Sequence, residues 1–128
     1  MNGRIDDVLG GIETRLLADM QDAELATATK LVNVSARAAG ALAGVVLEQH
    51  LQLVVKAHQC KIAKRNPTIA DFNDALKQAS VYATATWRKI SYLGDLRNLC
   101  SHKKASDPTT EQASELIDGV NWAVKNVA

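Results

Sequence analysis

Apolar residues recur at spacings of three and four along most of this chain, and nowhere in the alternation of two that marks a strand. Over residues 4–31, Ile5, Val8, Leu9, Ile12, Leu16 and Met20 follow this spacing and predict a first helix, with Gly10 and Gly11 weakening its start. Asn33 to Ser35 mark either a break or a kink. Residues 36–59 predict a second helix, through Ala36, Ala39, Ala43, Val46, Leu47, Leu51, Leu53, Val54 and Val55. Its apolar residues run almost all round the cylinder, which predicts burial on more than one side. Gly40 and Gly44 stand one turn apart among alanines and leave room for a close approach, either by another part of the chain or by a second copy. Lys61, Lys64 and Arg65 form a basic exit, and Asn66-Pro67 stops the pattern.

Thr68 opens a third helical segment, with Asp71 three residues on as the acid of a capping box, and Ile69, Phe72, Ala75, Leu76 and Ala79 keep the helical spacing. Residues 84–104 predict a fourth helix carrying Ile90, Leu93, Leu96 and Cys100. Asp107-Pro108-Thr109 reads as a turn and a helix start, with Gln112 placed to close a second box. Leu116, Val120, Ala123, Val124 and Val127 stripe the last helix. No internal repeat is visible. The expected fold is all-α, an up-and-down bundle of four to five helices forming a single domain over 1–128.

Composition agrees with this pattern. The 128 residues are 47% hydrophobic but only 4% aromatic, so alanine, leucine and valine dominate, and a chain of this length buries a core without staples. A net charge of +1 excludes a globally basic nucleic-acid coat, so any RNA contact must be a local patch. Cys60 and Cys100 are too few for a disulfide framework and wrongly spaced for zinc, which predicts no metal and a reducing cytoplasm. No apolar signal core stands at the start, and the apolar run from Ala38 to Leu47 is too short to span a bilayer, so no membrane is expected.

The candidate chemistry lies on the fourth helix. At 100° per residue, with Arg97 at zero, Ser101 falls at about 40°, Asn98 at about 100°, His102 at about 140° and Asp95 at about 160°. Leu99, Tyr92, Leu96, Cys100 and Leu93 fill the opposite arc. One side of the helix therefore faces a core, and the other carries an arginine, an asparagine, a serine, a histidine and an aspartate. Arg97 and His102 sit on opposite shoulders of that arc, so a second wall must face it before a groove exists.

Arg97-Asn98-Leu99-Cys100-Ser101-His102, an Arg-x-x-x-x-His run with Asn after the Arg, resembles the signature of the HEPN superfamily. The small-residue stretch from Ala38 to Leu51 with Leu47-Glu48 is similar to the early long helix of such domains, and the tail of Pro108, Thr109 and an apolar helix is similar too. Lys104 stands where many ribonuclease members carry a tyrosine. The resemblance implies a cofactor-free, metal-independent endoribonuclease in which the RNA 2′-OH attacks the adjacent phosphate. Histidine titrates nearest neutrality, so His102 is the expected general acid or base. A guanidinium stays protonated and is forked, so Arg97 is expected to hold the phosphate. Asn98 is expected to fix His102 or hold a phosphate oxygen, with Ser101 and Asp95 in support. The resemblance further implies a homodimer with two motifs on one groove, and an antitoxin or a larger defence complex as partner.

Outside the motif, Glu48 is read as a site carboxylate, a partner for Arg97, or a surface glutamate. Lys61, Lys64, Arg65, Lys103 and Lys104 are the expected RNA-binding rim, against the plainer reading of solvated helix ends. His50 and His58 are expected to be exposed or capping rather than ligands. Trp87, Tyr92 and Trp122 are expected in the core rather than as stacking platforms. Two other functions compete with catalysis. One is a non-catalytic module that binds nucleotide, RNA or protein. The other is a plain bundle that assembles through Gly40 and Gly44.

Overall fold

A computed structural model describes the backbone of residues 2–101 and 106–128, and the side chains of 11–101 and 106–128. It holds five helices: α1 (Asn2–Leu31), α2 (Ala36–Ala57), α3 (Ile69–Gln78), α4 (Thr84–Ser101) and α5 (Thr110–Asn126). The described residues contain no strand, and the fold is an all-α bundle.

The helix borders follow local chemistry. Ser35 caps α2 by accepting from the Ala38 N–H, so the chain breaks between α1 and α2 rather than kinking. Capping boxes start α3 (Thr68 with Asp71) and α5 (Thr109 with Gln112). Helix α2 stops at Ala57, two residues before the predicted end. His58 caps it, Gln59 turns left-handed at φ 56°, and the Cys60 N–H bonds back to the Val55 carbonyl at 3.0 Å. Helix α1 runs through Gly10 and Gly11 without interruption. The predicted end of the fourth helix, at 102–104, lies outside the described residues.

Helix α2 is the hub and packs against all four others, as its all-round apolar pattern predicts. It is also long and apolar enough by length and composition to cross a membrane, yet 56% of its most apolar window is buried inside this bundle. Gly40 meets Cys100 while Gly44 meets Arg97, so α4 runs antiparallel to α2. Asp107 before α5 meets Arg37 and Val127 after it meets His50, so α5 runs parallel to α2; Gln21 meets His50 across the short connection at 32–35, so α1 runs antiparallel. Val46, Leu47, Leu51, Leu76, Ile90, Leu116 and Val120 form the fully enclosed centre.

Ile12, Leu16 and Met20, 47%, 59% and 59% exposed, do not face the core; α1 buries Gln21, Leu25 and Ala28, and Val32 is buried just beyond its end. Two expectations change. His50 is buried rather than exposed, because its two ring nitrogens find Gln21 Nε2 at 3.1 Å and the Val127 carbonyl. Tyr92 lies at the surface, 48% exposed, where Glu115 hydrogen-bonds its hydroxyl and pushes its pKa up. Trp87 and Trp122 are half-buried. The Trp87 indole N–H donates to Asp74 at 2.8 Å, and the Lys89 ammonium sits 3.7 Å from the Trp122 ring centre. His58 is exposed at the end of α2, as a capping residue should be.

Candidate functional site

Two glycines place the polar arc of α4. A Cβ on Gly40 would lie 2.1 Å from Cys100 Sγ, and one on Gly44 would lie 2.5 Å from Arg97 Cγ. The bare backbone of α2 therefore accepts the Cys100 side chain and, one turn on, the aliphatic stem of Arg97. Both glycines are buried inside the chain. They form the α2–α4 seam, so of the two readings the approach by another part of the chain is the one observed. A further turn along the same face, Glu48 receives the Arg97 guanidinium, Nη2 to Oε2 at 3.4 Å. Of the three readings of Glu48, the partner of Arg97 is the one observed.

The second wall is α3. Its first turns and α4 line a cleft of about 460 Å³. Arg97, Asn98 and Asp95 line it from the α4 side, with Ser91 and Gly94 between them; Thr68, Ile69, Ala70 and Asn73 line it from α3. The arc from Arg97 to Asp95 is thus one wall of a groove built within one chain.

Asn73 joins the two walls of the cleft. This side chain is only 1% exposed, donates to the Trp87 carbonyl at 2.9 Å and to Ser91 Oγ at 3.0 Å, and accepts from the Tyr82 hydroxyl. Its hydrogen-bonding capacity is spent on tying α3 to α4 and to the loop between them. Burial pushes the Tyr82 hydroxyl pKa well up, so it stays a donor.

The basic candidates divide. Lys64 reaches Asp71 at 3.2 Å, beside Thr68, and so stands at the α3 edge of the cleft. The Thr68 backbone N–H, with the help of Lys64, holds the Asp71 carboxyl below its usual pKa. Lys61 and Arg65 are exposed in the same connection. Ser101 is exposed as the last residue of α4 and does not line the cleft. His102, Lys103 and Lys104 lie outside the described residues.

Arg37 is a cross-linking residue that the motif did not reveal. From the first turn of α2 it donates to the Cys100 carbonyl at 3.0 Å and to Asp107 Oδ1 at 3.0 Å. It therefore joins the start of α2 both to the last turn of α4 and to Asp107. One arginine bonding partners 63 and 70 positions away leaves no local pattern, so nothing in its surroundings in the sequence marks it. Burial pushes the Cys100 thiol pKa up, which keeps it an inert packing group beside Gly40. Among the described residues, no group of three or more His, Cys, Asp or Glu side chains is placed to share a metal. No known protein family, curated protein or solved structure matches this chain.

Proposed function

We propose that this chain is a metal-independent endoribonuclease of HEPN type, working on RNA and acting as a toxin or phage-defence effector. The observation that carries this reading is that Arg97 and Asn98, the first two residues of the Arg-Asn-x-x-x-His run, line the α3–α4 cleft with Glu48 holding the arginine. The RNA 2′-oxygen bonds to the adjacent phosphorus and the P–O5′ bond breaks. The 2′-OH proton passes to a base, and O5′ takes up a proton as it leaves. Arg97 carries the charge that builds on the phosphoryl oxygens, and His102 is the acid or base. Two copies facing one another supply the second histidine.

Purified protein should cleave RNA in EDTA and leave 2′,3′-cyclic phosphate ends. Arg97→Ala and His102→Ala, each checked as folded by circular dichroism, should lose about a hundredfold or more in rate. Variants that cut as fast as the parent would refute the assignment.

The Arg97–Glu48 ion pair favours a second reading, because it already meets part of the arginine's charge. In that reading the cleft binds a nucleotide or RNA without chemistry. Saturable binding that needs Arg97, with no cleavage under any condition, is its signature.

A further inference from the structure

We infer that the α3–α4 cleft is a subsite for a single guanine nucleotide, with the phosphate on Arg97 and the Watson–Crick edge of the base on Asp95. The inference rests on the reading of this cleft as an RNA site and adds which base it takes.

The contrast between spent and unspent polar groups supports it. Asn73, which lines the cleft and is buried, is fully engaged with the Trp87 carbonyl, Ser91 Oγ and the Tyr82 hydroxyl. Asp95 and Asn98 line the same cleft and are exposed, and neither side chain has a partner among the described residues. Ser91 accepts from Asn73, and its own proton is given to no described group. Asn73 is committed to holding the walls together, while Asp95 and Asn98 are open to solvent and so within reach of a ligand.

The arrangement also suits one nucleotide. A volume of about 460 Å³ lies in the range of small-ligand sites. Ile69, Ala70, Ile90 and Gly94 give an apolar floor, and a Cβ added at Gly94 would already come within 3.5 Å of Ile69 Cγ2. The polar groups sit at two ends. Asp95 and Arg97 lie about 160° apart around α4, on opposite shoulders of the lining arc. A ligand between them must present an anion at one end and hydrogen-bond donors at the other.

Base identity follows from the donor pattern. A carboxylate accepts only, through two oxygens side by side. Guanine presents two adjacent donors, N1–H and N2–H, and matches it. Adenine and cytosine each place a ring-nitrogen lone pair beside their amino group, which the carboxylate repels. Uracil offers one N–H between two carbonyl oxygens. Rejection of three bases by the same group that accepts the fourth is how a single side chain gives specificity.

The test uses the full chain and the four nucleoside 5′-monophosphates, titrated by calorimetry and by amide shifts of residues 91–98. Guanosine monophosphate should bind about tenfold more tightly than the other three. Asp95→Asn should erase that preference, while Arg97→Ala should weaken all four alike. Equal binding of all four, no binding of any, or an unchanged preference in Asp95→Asn would each overturn the inference. RNA cleavage is scored separately. Cleavage without a guanine preference leaves the nuclease reading standing and removes this one. A guanine preference without cleavage does the reverse.

Discussion

At the scale of single residues, His50 shows best how the sequence and the structure divide the work. Its letter sits in an apolar helix and says nothing of a partner. Folding brings Gln21 from one side and the Val127 carbonyl from the other, and each ring nitrogen meets one of them. If the ring is neutral with its proton on Nε2, that nitrogen donates to Val127 and Nδ1 accepts from Gln21. Burial then pushes its pKa below the usual histidine value, the Val127 bond opposing this only in part. The neutral form is the one folding prefers, so its stabilisation is complete above the unfolded pKa, near 6.5. It is lost as pH falls below that value toward the folded pKa. Urea unfolding should therefore show less stability at pH 5.5 than at pH 7.5, and His50→Gln should flatten that difference. A variant with the same pH slope as the parent would show that another group is responsible. Arg97 was legible at this scale because its partners in the motif are sequence neighbours. Arg37 and Asn73 were not, because their partners come from other elements.

At the scale of elements, the helices were legible because their borders are local. Ser35, Thr68 and Thr109 each satisfy N–H groups within their own first turn, and a capping box needs only four residues. Which face of a helix is buried is less local. The pattern in α1 gave the helix correctly, but its Ile12–Leu16–Met20 row is on the outside. Gly40 and Gly44 announced a close approach, but not what approaches. The answer is a cysteine and an arginine of α4, and it yields a paired prediction. An alanine in a helix is favoured over glycine by about 1 kcal/mol where nothing intervenes. Gly11 has open space around it, so Gly11→Ala should be neutral or stabilising up to that amount. At Gly40 the added carbon would lie 2.1 Å from Cys100 Sγ and 2.7 Å from its Cβ. Rotating the thiol moves the sulfur but not the Cβ, so α2 and α4 must separate. Gly40→Ala should cost about 1–3 kcal/mol by thermal unfolding despite the gain in propensity. A Gly40→Ala protein as stable as the parent would mean the seam is looser than these distances.

At the scale of the whole molecule, the central question is which parts of the site one chain supplies. The polar arc of α4 needs a facing wall, which the sequence left to a second copy or to another part of the chain. Within this bundle α3 already fills that role, with Asn73 tying it to α4 and Lys64 and Asp71 at its edge. Cleft binding and strand cleavage therefore make different demands. The proposed mononucleotide site is lined by α3 and α4 of one chain. The proposed cleavage needs two histidines, and each chain carries one in the motif. Dilution should separate the two. Nucleotide affinity per chain should stay constant across the concentration at which sedimentation shows a dimer dissociating. The cleavage rate per chain should fall with the dimer fraction. If nucleotide binding is also lost on dilution, the cleft is incomplete in one chain and α3 is not its second wall. If neither changes, a single chain performs the whole reaction, and one histidine must both take the 2′-OH proton and return it to O5′.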